Sequence, residues 1–255
     1  MAEDVTEDFP LVLDPHRPMI ISAWGRKGSG KSVFNRRIFR SWPYDAIAID
    51  VNGNAEPGPD AERITREQIG SRFPDQAPAI GERHRPRKLH FRADPGSATY
   101  ADDLDRAVGM ALFPQDRPVC VWAGEVGELM PNGRPGPHMR RLLQQNRHHK
   151  VTALFDGPRP MFVDPLVLAQ SDLVAVYNMP NPADRKRVAD SIGYPPKRFD
   201  VEHEETQRRN GAEKAAGRDP YWFLLWHAEA HQLYRCAPLP VEDEPEDQAD
   251  DGAAA

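Results

Sequence analysis

The sequence predicts an α/β fold in which a parallel β-sheet carries helices on both faces and a C-terminal β-hairpin follows. Three observations lead to this class. Short apolar runs alternate with helical segments from residue 18 to about residue 195, a glycine-rich turn joins the first apolar run to the first helical segment, and two aromatic-rich runs near the C-terminus flank a short polar turn. In such a sheet the crossover connections are right-handed and ligands bind at the carboxyl ends of the strands.

The individual elements follow from the character of each run. Strands are predicted where a short apolar run ends at a turn signal, and helices where apolar residues recur at helical spacing before a glycine or proline. The predicted strands cover residues 18–24, 46–51, 88–93, 118–123, 151–155 and 172–177, and the predicted helices cover residues 32–41, 100–112 and 138–149. Two further strands, residues 221–226 and 232–236, form the predicted hairpin.

Composition divides the chain into four regions. We expect a flexible N-terminal segment at 1–17, a core at 18–195, a charged connection with the terminal hairpin at 196–240, and a disordered acidic tail at 241–255. The tail holds seven aspartates and glutamates, so the rest of the chain is close to neutral although the formal net charge is −6. Any contact with nucleic acid would therefore need a local basic patch.

Several classes of protein are disfavoured by the 255 residues as a whole. The acidic start of the chain is unlike a signal peptide, and no apolar run reaches the roughly 20 residues that span a bilayer. Cys120 and Cys236 lie far apart in apolar runs, which predicts buried thiols in a reducing compartment rather than a disulfide. The sequence predicts a cytoplasmic protein with no membrane span.

The glycine-rich turn carries the most specific motif, G-x-x-x-x-G-K-S, set between a predicted strand and a predicted helix. Its residues are Gly25, Arg26, Lys27, Gly28, Ser29, Gly30, Lys31 and Ser32. In this motif, called the P-loop, backbone N–H groups surround phosphate oxygens, the lysine reaches the β and γ phosphates and the serine ligates Mg²⁺. The sequence predicts a nucleotide site that takes ATP or a close relative, with Lys31 as a catalytic residue and Mg²⁺ on Ser32.

Hydrolysis of the nucleotide needs a carboxylate that orients water, and usually a second one that holds Mg²⁺ through water. Glu125 follows the apolar strand at 118–123, where a catalytic base is expected. The position before it is Gly124 instead of an aspartate, so half of the expected acidic pair is missing. Asp50 and Asp156 each end a predicted strand and are candidates for the missing carboxylate; an equally open alternative is that both only cap loops.

Three stretches resemble the FtsK–HerA superfamily of DNA-pumping ATPases. They are Ala-Gly-Glu-Val-Gly-Glu-Leu-Met130 after the fourth strand, Arg140-Arg-Leu-Leu-Gln-Gln-Asn-Arg-His-His-Lys-Val151 before the fifth, and Phe155-Asp-Gly-Pro-Arg-Pro160 where the family has Thr-Gln-Arg-Pro. The resemblance spans about residues 18 to 193 and implies a P-loop NTPase (RecA-like) fold. The chain departs from the family at Gly124 and at Pro158, which replaces a glutamine that senses the γ phosphate in relatives.

The resemblance also implies roles and partners. Arg147, or else Arg140 or Arg141, would be the arginine finger that reaches the γ phosphate of a neighbouring subunit, whereas exposed helical arginines are often only solvated. The role of Arg159 is left open. The family's activity would be ATP-driven movement of double-stranded DNA through a homo-hexameric ring, with Arg134 as a candidate DNA contact.

The compact size is similar to viral genome-packaging ATPases, which implies a capsid or portal docking partner and a location in the host cytoplasm or with the virion. Three alternatives stay open at this point. They are a plasmid or conjugative DNA-transfer ATPase, a nucleotide-binding switch or assembly scaffold with little hydrolysis, and, as the least favoured, a small-molecule kinase. The acidic tail is interpreted as a segment that keeps the subunit off DNA before assembly.

Overall fold

A computed structural model of the chain describes residues 2–5, 13–53, 55–69, 86–113, 117–130 and 133–239. Within these ranges the strands are β1 Glu3–Val5, β2 Ile20–Trp24, β3 Ala46–Asp50, β4 Glu62–Ile64, β5 Lys88–Arg92, β6 Val119–Ala123, β7 Val151–Gly157, β8 Leu173–Val176, β9 Phe223–His227 and β10 Gln232–Cys236. The helices are α1 Lys31–Ser41, α2 Tyr100–Leu112, α3 Pro137–Gln145, α4 Pro165–Ala169, α5 Pro182–Ser191 and α6 Pro196–Ala215.

The described strands form one sheet in the order β1-β10-β9-β8-β2-β7-β6-β3-β5-β4. β2 pairs in parallel with β7 on one side and β8 on the other, and β6 pairs in parallel with β7 and β3. Only β9 runs against this direction: it is antiparallel to β8 and to β10, so β10 again has the direction of the central strands. The carboxyl ends of β2, β3, β6, β7 and β8 therefore meet at one edge.

The sheet is buried on both faces, which is why its central strands are mostly apolar. On one face α1 packs through Phe34, Ile38 and Phe39 against alternate residues of the central strands. On the opposite face the helices α2 to α6 cover the other set of alternate residues. The predicted fold class, an α/β sheet with helices on both faces and a C-terminal hairpin, is confirmed.

Two regions differ from the sequence-based expectation. The segment 1–17, predicted to be flexible, contains β1, which adds to β10 in parallel, and Asp4 accepts a hydrogen bond of 2.7 Å from Arg235. The predicted charged connection after residue 195 begins with α6, a helix of 20 residues. Its few buried residues include Glu202, which is buried only because the buried Arg235 pairs with it at 2.6 Å.

Smaller differences concern element ends and termini. α3 ends at Gln145, earlier than the predicted residue 149, and the chain then turns into β7 with Lys150 in the left-handed region at φ 55°. Cys120 and Cys236 are buried free thiols, and burial raises the pKa of both. None of the helices in the described ranges combines the length and apolar character needed to cross a bilayer. The predicted disordered tail, 241–255, lies outside the described residues.

Candidate nucleotide site

The phosphate-binding loop joins the end of β2 at Trp24 to the start of α1 at Lys31, as its motif predicts. Glycine is required at two of its positions because the ring of Tyr177 packs against the loop. A Cβ at Gly25, where φ is 150°, would lie 2.9 Å from Tyr177 Cβ, and one at Gly30, where φ is 103°, would lie 3.1 Å from Tyr177 Cε1. The backbone N–H of Arg26 donates to the carbonyl of Asn178 at 2.8 Å, which fixes the loop to the end of β8.

Two polar side chains of the loop are suited to a phosphate. Ser29 is buried, and its Oγ is one of the few buried side-chain atoms in the described ranges that have no hydrogen-bond partner. A buried hydroxyl without a partner is costly, and a phosphate oxygen would accept its hydrogen bond. Lys31 is also buried and donates to the carbonyl of Arg26 at 3.1 Å. Burial lowers the pKa of Lys31, and the nearby Asp156 and Glu125 partly oppose this shift.

Asp156 lies on β7, directly beside the strand that leads into the loop, in register with Ala23 of β2. Its carboxylate is buried and oriented by three donors. Oδ2 accepts from Trp122 Nε1 at 2.9 Å and from Asn35 Nδ2 at 3.0 Å, and Oδ1 accepts from the backbone N–H of Glu125 at 3.3 Å. These three contacts hold the Asp156 carboxyl group in one orientation, close enough to Lys31 to influence its pKa.

Glu125 follows β6 and adopts φ 51° and ψ 53°, a left-handed conformation that is unusual for a residue with a side chain. Burial raises its pKa, Asp156 raises it further, and Lys31 lowers it. Backbone strain and a perturbed carboxyl in a cleft are both common at catalytic positions. The next residues, Val126–Leu129, form a 3₁₀ turn that carries the chain away from the cleft.

The predicted carboxylates share one cavity of about 300 Å³ beside the loop. Its walls include Lys27, Lys31 and Ser32 on one side and Asp50, Glu125 and Asp156 on the other. Asp50 lies at the end of β3, farther from β2 than Asp156, and it is held by a contact of 3.1 Å to His90 Nε2. The structure thus brings the loop and all three predicted acids to one edge of the sheet.

Gly124, the residue that follows β6, lies next to the Asp156 carboxyl group. An added Cβ at Gly124 would lie 3.9 Å from both carboxyl oxygens of Asp156, which is ordinary van der Waals contact. The carboxyl group on β7 therefore lies beside the position from which a side chain at residue 124 would start.

The fit of Mg²⁺ can be judged from these donors. Mg²⁺ prefers oxygen ligands and in nucleotide sites takes one or two from the protein while the phosphates and water supply the rest. Ser32 and Asp156 both border the cavity, so their oxygen atoms match this requirement. When bound, the ion would neutralise charge on the phosphates.

Arg147, the predicted arginine finger, does not border the phosphate loop of its own chain. Arg147 follows α3 at the opposite edge of the sheet, where its exposed guanidinium donates to Asp172 at 2.8 Å. The structure does not bring it to this chain's own loop, so any contact with a nucleotide would have to be made to another subunit. Pro158 is exposed and has no hydrogen-bond donor for a γ phosphate. Arg159 instead holds its turn in place by donating to Asp184 at 3.0 Å and stacking on Phe162.

Sequence reasoning missed Asn35 and Trp122, the two side chains that orient Asp156. Asn35 carried a usable signal, because it is a polar residue four positions after Lys31 and so lies on the same buried face of α1. Trp122 carried none, since it looks like one more apolar residue of a buried strand.

A parallel sheet whose central strand leads through a glycine-rich phosphate loop into a helix defines the P-loop NTPase fold, and this chain has that fold. Comparison with protein-family models finds no match, and comparison with curated proteins finds none either.

Solved structures similar to this chain include the genome packaging NTPase B204 of Sulfolobus turreted icosahedral virus 2. Its complex with ATP-gammaS has a TM-score of 0.61 at 17% identity, covering 89% of this chain and 100% of that one, and its complex with AMP has a TM-score of 0.61 at 16% identity with the same coverage. B204, the DNA-packaging ATPase of Sulfolobus turreted icosahedral virus, has a TM-score of 0.55 at 17% identity, covering 88% and 100%. At these identities the likeness shows the fold.

Proposed function

We propose that this chain is an ATPase that moves double-stranded DNA as a homo-oligomeric ring, and that its task is the packaging of a viral genome. The observation that carries the ATPase part is the single cavity in which Lys31, Ser32, Glu125 and Asp156 meet. The DNA and packaging parts are supported by the FtsK–HerA-like stretches and by the similarity in fold to B204. A hexamer and docking to a capsid or portal belong to the same proposal.

Within the cavity each residue has a physical task. Lys31 and the loop N–H groups bind the β and γ phosphates, and Ser32 with Asp156 would hold Mg²⁺. Glu125, when ionised, accepts a proton from the water that attacks the γ phosphate. Its raised pKa brings it closer to the pH at which such a base works best, while Lys31 keeps the ionised form accessible.

The test is steady-state ATP hydrolysis with and without long double-stranded DNA. We expect turnover that DNA stimulates, with loss of turnover in Lys31→Ala and Glu125→Gln. Two matched controls should stay near the unmodified rate: Lys186→Ala, which removes an exposed lysine paired with Asp190, and Glu204→Gln, which alters an exposed acid on α6.

One alternative has specific support. Gly124 and Pro158 depart from the family pattern, which favours a nucleotide-binding switch or assembly scaffold with little hydrolysis. Tight ATP binding without turnover under any DNA condition would decide for this alternative and against the motor. A plasmid or conjugative DNA-transfer ATPase would give the same DNA-stimulated turnover, and it would be distinguished by the absence of any association with capsid or portal protein.

A further inference from the structure

A second cavity, of about 290 Å³, lies beside the same loop and differs in chemistry from the acidic one. Both cavities are bordered by Gly28, Lys31 and Ser32. Beyond the loop itself, the walls of the second cavity are Val33, Tyr177, Tyr221 and Leu239, so none of the described residues that line it is acidic. The phosphate loop therefore separates an acidic chamber from an aromatic and apolar one.

This separation fixes the direction in which a nucleotide can lie. The groups that act on the γ phosphate, Glu125 and Asp156, border only the acidic chamber. A triphosphate bound by the loop with its γ phosphate on that side must direct its nucleoside to the other side. We infer that the second chamber binds the nucleobase, and that the ring of Tyr221 is the surface on which the base stacks.

Tyr221 is suited to this task because it lines the chamber and remains partly exposed. The residue keeps 39% of its accessible surface, while its Cβ lies 3.6 Å from the position of a Cβ at Gly30. It thus stands directly over the loop. The opposite wall is rigid, because Tyr177 is buried and stacks on Phe223 with ring centroids 4.8 Å apart.

Side chains of α6 hold the backbone next to Tyr221 in place. Asn210 accepts a hydrogen bond from the backbone N–H of Trp222 at 2.8 Å and donates one to the carbonyl of Trp222 at 3.1 Å. The guanidinium of Arg209 stacks on the Trp222 ring at 4.9 Å. These contacts from α6 hold Trp222 in place and so restrict the position of its neighbour Tyr221. Asn210 is therefore a positioning residue for the base.

The character of the walls also predicts specificity. Away from the loop, the described walls offer only the hydroxyl groups of Tyr177 and Tyr221 as hydrogen-bonding side-chain groups. A hydroxyl both donates and accepts, so it does not by itself select one purine, and every base has an aromatic face that can stack. Strong rejection of a wrong substrate, about 10⁴-fold, needs side chains that hydrogen-bond the correct one. ATP and GTP should therefore bind with affinities within roughly tenfold of each other.

This inference rests on the proposed nucleotide binding, and its test separates the two by using a ligand without a base. Affinities for ATP, GTP and inorganic tripolyphosphate are measured by titration calorimetry on the full chain. Tyr221→Ala should weaken ATP and GTP binding by about 5- to 150-fold, the range for loss of one stacking contact, and leave tripolyphosphate binding unchanged. Tyr221→Phe should bind all three like the unmodified chain, and Asn210→Ala should also weaken ATP and GTP binding while leaving tripolyphosphate binding unchanged.

Each outcome has a definite meaning. If Tyr221→Ala binds ATP as tightly as the unmodified chain while Lys31→Ala does not bind it, the base is held elsewhere and the inference is wrong, although the nucleotide site stands. A preference of 10⁴-fold for one purine would also overturn it. If the unmodified chain binds neither ATP nor tripolyphosphate, the proposed function fails and this inference fails with it.

Discussion

Replacing Gly124 with aspartate tests whether Asp156 has taken over the carboxylate position beside the phosphate loop. The new Cβ fits, because its nearest neighbours, the oxygen atoms of Asp156, lie 3.9 Å away and the backbone there is not left-handed. In the rotamer that turns the new carboxylate toward Asp156, the two groups would lie about 4 Å apart, where two negative charges repel by about 4 kcal/mol at an effective dielectric constant of about 20. Gly124→Asp should therefore be less stable than Gly124→Asn, which has the same shape without the charge.

The assay is urea unfolding of both variants, and of Gly124→Ala, at several pH values. The repulsion raises the pKa of the carboxyl pair in the folded state, so stability is lost as pH rises through that pKa and regained as pH falls. The deficit of Gly124→Asp relative to Gly124→Asn should accordingly approach a few kcal/mol at pH 8 and shrink in mild acid.

A double variant tests whether the two carboxyl groups interact. Asp156→Asn removes the repulsion, so Gly124→Asp combined with Asp156→Asn should be more stable than the two single effects predict, by about 1 to 3 kcal/mol. It should also regain part of the hydrolysis that Asp156→Asn alone loses, because one carboxylate is again present. Equal stability of Gly124→Asp and Gly124→Asn at pH 8 would refute the argument, and so would purely additive effects in the double variant.

Three further predictions follow from other groups. Because burial and Asp156 raise the pKa of Glu125, kcat should rise with pH over a range above the ordinary pKa of glutamate. The stability that this carboxyl group contributes should fall over the same pH range, since its folded-state pKa is raised. A pH–rate profile in which kcat does not rise in that range would contradict the role of Glu125 as base. Arg147→Ala should lower turnover by about 10³-fold or more without weakening nucleotide binding by the isolated subunit. Mixing Arg147→Ala subunits with Lys31→Ala subunits should restore part of the activity, because an intact loop on one subunit can then meet an intact Arg147 on its neighbour. Arg235→Met should cost about 3 to 5 kcal/mol in urea unfolding, because it leaves the carboxylate of Glu202 buried and unpaired, and a loss below about 1 kcal/mol would show that the pair is not important for stability.

The central part of the fold could be predicted from the sequence because its signals are local. β2, the phosphate loop and α1 follow one another along the chain, and each has its own pattern of apolar residues, glycines or helical spacing. The hairpin of β9 and β10 was predictable for the same reason, since two apolar runs flank a short polar turn. These elements were confirmed within a residue or two.

The parts that could not be predicted depend on contacts between distant residues. α6 has almost no apolar face, because two of its buried positions are Glu202 and His203, and their partners lie on other elements. β1 pairs with a strand more than 200 residues away. The position of Asp156 beside Gly124 depends on the pairing of β6 with β7, which a motif along one strand does not contain.

The loop between the two chambers also determines which parts of the protein can distinguish substrate from product. Hydrolysis changes only the γ-phosphate end of the nucleotide, so the change would fall on the elements that line the acidic chamber, namely the ends of β3, β6 and β7, which carry Asp50, Glu125 and Asp156. The aromatic chamber contacts the part that is identical in ATP and ADP. The contacts of the C-terminal hairpin region would then depend on whether a nucleotide is bound, while those at the centre of the sheet would depend on whether the γ phosphate is still attached.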